Sequence, residues 1–325
     1  MDFDIPMQVT LLIGAFFVTL IWGILAINLL HKLHLGQNIK EDGPKSHLAK
    51  AGTPSMGGVI FLVPFALFVY VLGYRYEGMR TIIFPLLIVT LAYAAIGFTD
   101  DYLKVKKKHS VGLLAWQKIF LLLIVSGIYV YYLVEIFGVG THIYVPFLNI
   151  YFDLGKWYIP FAMLVLLSTT NVVNITDGLD GLASGIMVIL TTFFAVYGII
   201  NQINSITYIS AVLIGCCLGF LVYNINPARV FMGDTGSLAL GGFLGAIALI
   251  LQLPLVLIII AGVCVIEALS DIIQVVYFKL SNGKRIFKMA PLHHHLELSG
   301  WSEKKITRIF YGITIVLCII GMFSL

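Results

Sequence analysis

The chain has 325 residues, of which 60% are hydrophobic and only 11% charged, against about a quarter charged in a soluble domain. With a mean hydropathy of +1.00, it would expose large apolar patches in water, so the composition excludes an ordinary soluble domain and makes lipid the solvent. The formal net charge of +4 says little by itself, and no nucleic-acid partner is expected.

A spanning helix needs about 20 mainly apolar residues. Charge-free apolar runs lie at 5–30, 57–73, 81–99, 119–137 and 157–174. The stretch 181–228 is too long for one span, and Asn201, Gln202, Asn204 and Ser205 divide it into 181–200 and 206–223. Runs at 236–252 and 254–278, separated near Pro254, and a last run at 309–325 follow. The expected fold is an all-α integral membrane protein of about ten transmembrane helices. No internal repeat is visible, so residues 1–325 read as a single domain. The start, Met1-Asp2-Phe3-Asp4, lacks the basic segment of a signal peptide, and the first run is expected to stay as a helix. Cys216, Cys217, Cys264 and Cys318 have neither metal-ligand spacing nor a disulfide pattern and read as buried apolar residues.

Orientation follows from Lys and Arg in the nine loops. The odd loops carry Lys32, Lys40, Lys45 and Lys50, then Lys104, Lys106, Lys107, Lys108 and Lys118, then Arg229, and finally Lys279, Lys284, Arg285, Lys288, Lys304, Lys305 and Arg308. The even loops carry only Arg75, Arg80 and Lys156. That bias predicts cytoplasmic odd loops and both termini on the outer side.

The polar chemistry sorts the same way. Asp100-Asp101 directly follows the run 81–99 and is read as opening loop three. One Asp there solvates a helix end, but two adjacent carboxylates oppose the helix dipole by about 0.3–1 kcal/mol each, which a cation or a basic substrate group would offset. Lys104 lies one turn on and suits a phosphate, whereas Lys106 to Lys108 read as a membrane anchor. In Asn171-Val-Val-Asn174-Ile-Thr-Asp177-Gly178-Leu-Asp180-Gly, polar groups recur every third residue, the spacing of one helix face. Such groups at the end of a span mark a site or a water-filled cavity. Phe231-Met-Gly-Asp234-Thr-Gly-Ser237 precedes an apolar run. Asp234 or Ser237 would serve there as an N-cap, and equally a Gly-flanked carboxylate would bind Mg²⁺. His293-His294-His295 cannot point one way and so makes a poor three-His zinc site; it suits phosphate oxygens. Glu267 and Asp271, one turn apart in the ninth run, suit packing or catalysis alike. Carboxylates with Lys and His at one membrane face point to phosphate chemistry on a lipid substrate.

Together these segments carry a resemblance. Pro54-Ser-Met-Gly-Gly58, Asp100-Asp101-Tyr-Leu-Lys104, the Asn171–Asp180 segment, Phe231–Ser237 and Ala290-Pro-Leu-His293-His294-His295 occur in an order and spacing similar to those of the phospho-N-acetylmuramoyl-pentapeptide transferases, within the polyprenyl-phosphate N-acetylhexosamine-1-phosphate transferase superfamily. The resemblance covers essentially the whole chain. It implies transfer of phospho-N-acetylmuramoyl-pentapeptide from UDP-N-acetylmuramoyl-pentapeptide to undecaprenyl phosphate, giving lipid I and UMP for peptidoglycan and cell-wall synthesis, and with it cell shape and division. It implies Mg²⁺, a homodimer and a multi-pass position in the bacterial plasma membrane. By motif position it implies Asp234 as metal ligand, Asp100 as base for the lipid phosphate and Asp101 as its support. Lys50, Lys104 and Lys118 match basic positions near the phosphates. Asn171, Asn174, Asp177, Gly178 and Asp180 match the uridine-side wall, Phe231 the residue stacked on uracil, and Asn224 a site asparagine. His293 is expected at the substrate, and His294 and His295 match essential histidines. Direct attack by the lipid phosphate is favoured over a phospho-enzyme. Two rival readings compete with this: a polyprenyl-phosphate N-acetylglucosamine-1-phosphate transferase, whose histidine motif is usually spaced differently, and a secondary transporter, which would place its polar groups at the bilayer midplane, often between inverted repeats.

Overall fold

The computed structural model describes residues 5–32, 52–107 and 111–325. Helices dominate: α1 Met7–Lys32, α2 Gly58–Arg75, α3 Arg80–Lys107, α4 Ala115–Tyr131, α5 Tyr158–Thr176, α6 Leu182–Ile200, α7 Asn204–Asn224, α8 Gly233–Ile250, α9 Pro254–Ile260, α10 Gly262–Leu280, α11 Leu292–Glu297 and α12 Glu303–Phe323. Among the described residues, nine helical segments are long and apolar enough to cross a membrane. Each matches an expected run.

The ninth run differs. It breaks at Ala261 into α9 and α10, which meet at an 83° bend, so it counts as one bent span or none. Apolarity alone carries no direction, and the run 254–278 looked continuous. Two short strands also appear among the described residues. β1 His142–Val145 pairs antiparallel with β2 Ile150–Asp153, His142 opposite Asp153. The Tyr144 hydroxyl donates to the carbonyls of Ser324 and Leu325, at 3.0 and 2.9 Å, and ties this hairpin to the end of α12.

The middle of the bundle is α8, whose apolar window is 89% buried. Its glycines explain how it fits there. A Cβ on Gly241 would collide with the backbone of Thr169 and Thr170 on α5, and one on Gly242 with the Tyr93 ring on α3. In lipid no hydrophobic force drives helices together, so small residues and close backbone packing must do it. α3 and α5 accordingly flank α8, while α1 packs on α7 and α2. α1 is peripheral: Phe17, Ile21, Ile24 and Leu25 point outward, each more than half exposed, as a lipid-facing surface requires. Of the cysteines, Cys216, Cys217 and Cys264 are buried and Cys318 is half-buried; all are free.

Candidate active site

Four helix ends converge at one end of the bundle: the last turns of α3 and α5 and the first turns of α4 and α8. The hairpin follows α4 and therefore lies at the opposite end. α3 continues to Lys107, so Asp100 and Asp101 lie within the helix, 3% and 5% exposed. This corrects the expectation that they open loop three. The helix can continue because both carboxylates find donors in neighbouring elements.

Asp101 faces the start of α8. Its Oδ1 accepts from the Asp234 amide at 3.2 Å, and its Oδ2 from the amide and hydroxyl of Thr235 at 2.9 and 2.8 Å. These amides are first-turn donors that a helix cannot satisfy internally, and an anion is favoured at that end. Asp101 thus caps α8 from another helix. The expected cap by Asp234 or Ser237 is not made: neither lies at the helix's N-cap, which is Met232 with no side-chain cap bond. Ser237 instead bonds back to the Gly233 carbonyl at 3.0 Å.

Freed from capping, the Asp234 carboxylate turns into the site. Asn174 donates to Oδ1 at 2.8 Å, and Lys104 and Lys118 both reach Oδ2, at 3.0 and 2.8 Å. Asp100 accepts from the Leu113 amide at 2.7 Å and pairs with Lys104 at 2.6 Å. One oxygen from each of Asp100, Asp101 and Asp234 lies within 4.8 Å of the others. Three hard oxygen donors at that spacing suit a divalent cation such as Mg²⁺. Three carboxylates also outnumber the two ammonium groups against them. Close approach depends on two glycines. Gly97 has no room for a Cβ beside the Asp234 backbone, and Gly233 adopts φ +72°, where a side chain would also meet Asp101.

The Pro54–Gly58 segment is a backbone clasp on the same region. Phe231 donates to the Pro54 carbonyl at 2.9 Å, while Gly57 and Gly58 donate to the carbonyls of Phe231 and Met232 at 2.8 and 2.9 Å. Phe231 is left half-buried.

The Asn171–Asp180 segment is not one helical face, because α5 ends at Thr176. Asn171 bonds back to its own helix at Leu167, at 2.7 Å, whereas Asn174 bridges Asp234 and Ser237. Burial, with the carboxylates of Asp234, Asp101 and Asp180 nearby, holds the Asp177 carboxyl well above the usual range. Asp180 accepts from the Asn226 side chain and the Ala228 amide, both at 3.0 Å. Asn224 is 3% exposed and joins Gly181, Ser184 and Val230. These bonds set the loop backbone around the segment.

The three histidines take different hydrogen-bond partners, although the rings of His293 and His294 pack edge-on with centroids 4.2 Å apart. His293 is buried on Glu267, His294 pairs with Glu297 at 2.9 Å, and His295 accepts from the Lys288 amide at 3.1 Å. The His293 ring abuts Gly178 and so meets the Asn171–Asp180 segment. Lys50 lies outside the described residues. Thr235 was missed as a partner of Asp101, and Ser237 as a partner of Asn174; their positions in the first turn after Gly233 are the signal that could have found them.

Comparison with known proteins fits this geometry. The glycosyl transferase family 4 model matches residues 83–252, just over half of the chain, from α3 to the end of α8. The fold and site thus define a polytopic membrane protein of that transferase class. A narrower signature, phospho-N-acetylmuramoyl-pentapeptide-transferase signature 1, matches residues 50–62, which include the clasp. Curated phospho-N-acetylmuramoyl-pentapeptide-transferases from Acetivibrio thermocellus and Clostridium kluyveri are 49% and 48% identical, covering 100% and 96% of this chain and 97% of each relative. That of Clostridium novyi is 50% identical over 96% of this chain and 94% of the relative. The chain belongs to the phospho-N-acetylmuramoyl-pentapeptide-transferase family.

Proposed function

We propose that this chain transfers phospho-N-acetylmuramoyl-pentapeptide from UDP-N-acetylmuramoyl-pentapeptide to undecaprenyl phosphate, giving lipid I and UMP. The observation that carries the reading is the shared Asp234 oxygen. Lys104 and Lys118 both bind it, beside two further carboxylates, in a member of this family. Two ammonium groups converging on one point are placed to grip the pyrophosphate oxygens of a nucleotide substrate.

In the reaction, an oxygen of the lipid phosphate attacks the sugar-linked phosphorus, and the bond from that phosphorus to the UMP oxygen breaks. Asp100 takes the proton of the lipid phosphate where one remains. Asp101 keeps the start of α8, and hence Asp234, in register. Lys104 and Lys118 shift from Asp234 to phosphate oxygens as substrate enters. Asp234, with Asp100 and Asp101 beside it, would hold Mg²⁺, which when bound neutralises charge on the pyrophosphate. The Asn171–Asp180 segment and Phe231 receive the uridine, and His294 and His295 serve the phosphates.

The reading includes ten spans with both termini outside, the site at the cytoplasmic face, and a homodimer in the bacterial plasma membrane. It is tested with purified protein, undecaprenyl phosphate and either UDP-N-acetylmuramoyl-pentapeptide or UDP-N-acetylglucosamine. UMP release with the first donor alone supports it. Release with the second identifies the sister transferase, and no release with either returns the transporter.

A further inference from the structure

Glu267 on α10 and His293 on α11 are each 1% exposed. The Glu267 carboxylate accepts from the His293 backbone amide at 3.1 Å, and its Oε2 lies 2.8 Å from the ring Nδ1. With Glu267 ionised, it is the acceptor in both contacts, and Nδ1 then carries the ring proton toward it. The other ring nitrogen, Nε2, is buried with no hydrogen-bond partner among the described residues. It lies against Gly178, where a Cβ would collide with it.

A strut holding α11 to α10 needs only the Glu267 side of the ring. An apolar ring would fill the rest of the space without the cost of an orphaned polar atom, and such orphans in native proteins call for an explanation. The orphan here faces the turn that follows α5. Asn174, three residues before Asp177, bonds to Asp234, so the turn adjoins the carboxylate centre.

We propose that Glu267 is a positioning residue: it holds His293 with its proton on Nδ1, so that the Nε2 lone pair faces the Gly178 turn and accepts from a hydroxyl or ring N–H of the uridine nucleotide. This rests on the reading of the Asn171–Asp180 segment as the nucleotide side of the site. A cation held by the carboxylates, with Lys104 and Lys118, would bind pyrophosphate without distinguishing one nucleotide from another; an acceptor fixed beside them adds recognition of the nucleoside.

The test uses full-length protein in lipid nanodiscs and equilibrium binding of UMP and three analogues: 2′-deoxy-UMP, 3′-deoxy-UMP and N3-methyl-UMP. Glu267→Gln is the informative variant. Its amide oxygen still accepts from the His293 backbone, so α11 stays anchored, but its NH₂ donates to Nδ1 and moves the ring proton to Nε2. Wild-type protein is expected to bind one analogue about tenfold more weakly than UMP, up to the worth of one hydrogen bond. Glu267→Gln is expected to bind UMP about tenfold more weakly and to gain no further loss with that analogue. Its KM for undecaprenyl phosphate should stay within about twofold of wild type. Unchanged UMP binding in Glu267→Gln makes the pair a strut and overturns the proposal. If that variant does not fold, wild-type protein alone decides: equal binding of UMP and all three analogues overturns it. Wild-type protein that binds no UMP at all overturns the nucleotide reading itself, a result distinct from either.

Discussion

Asp101 and Asp100 are neighbours with opposite dependencies, and replacing each by Asn separates them. Asp101 accepts three hydrogen bonds from the start of α8, two from backbone amides and one from the Thr235 hydroxyl. Hydrogen bonds to a charged group contribute about 1.5–3 kcal/mol each, and a buried donor left unpaired costs about 1–3 kcal/mol. Asn retains one acceptor oxygen and turns an NH₂ toward the remaining donors, so Asp101→Asn should destabilise by roughly 2–4 kcal/mol. Thr235→Val removes one donor and keeps the amide bond, and should cost about 1–2 kcal/mol. Asp100 accepts one backbone amide, and its other oxygen faces Lys104, which is itself a third exposed, so Asp100→Asn should cost least. The assay is thermal unfolding followed by a thiol-reactive dye, which buried Cys216, Cys217 and Cys264 withhold until the bundle opens, paired with UMP release. Asp101→Asn is expected to lose stability and activity together, with Thr235→Val as a milder copy. An Asp101→Asn protein as stable as wild type but inactive would refute the capping argument and put Asp101 in the chemistry.

Further outcomes follow from the same contacts. Phe231→Ala should weaken UMP binding by roughly tenfold or more, since stacking on a base is worth about 1–3 kcal/mol; unchanged affinity removes Phe231 from the site. Asp177→Asn should gain stability over wild type as pH rises above the ordinary carboxylate range. The raised Asp177 pKa means that the native state keeps a proton which the unfolded chain has released, and wild type loses that advantage with rising pH. A stability difference flat from pH 5 to 8 contradicts it. Asp100→Asn should lose less turnover as pH rises from about 6 to 9, because the second phosphate pKa is about 6 and the lipid phosphate then needs no base; a flat defect makes Asp100 a positioning group. Mn²⁺, as a paramagnetic substitute for Mg²⁺, should bind more tightly once UMP and pyrophosphate draw Lys104 and Lys118 off Asp234; equal affinity with and without them argues that the lysines do not exchange partners.

The spans and the gathering of polar groups at one end were legible because both are properties of local sequence. A charge-free run reads as a helix in lipid whatever it packs against, and motifs that follow one another across alternate loops must share an end. What the sequence concealed was pairing across distance. Thr235 donates to Asp101 from 134 residues away, and Lys118 reaches Asp234 from 116; no periodicity links such positions. The triplet spacing of Asn171, Asn174, Asp177 and Asp180 suggested one face, yet the helix stops at Thr176 and only Asn174 reaches Asp234. The 83° break at Ala261 was hidden because Pro254, the visible helix breaker, sits at the first turn of α9, where proline is compatible with a helix. Glu267 could be read as packing or catalysis, and its bond to His293 puts it beneath the histidine motif.

The proposed reaction puts phosphoryl transfer between nucleotide sugar and lipid phosphate at the Asp234 centre. The most direct measurement is UMP release by Asp234→Asn, with UDP-N-acetylmuramoyl-pentapeptide and undecaprenyl phosphate, across pH 6 to 9 and increasing Mg²⁺. Turnover is expected to fall by 10²-fold or more, the scale of losing a preorganised electrostatic group, at every pH and with no rescue by the metal. Turnover within tenfold of wild type, or its return at high pH or high Mg²⁺, would contradict the account.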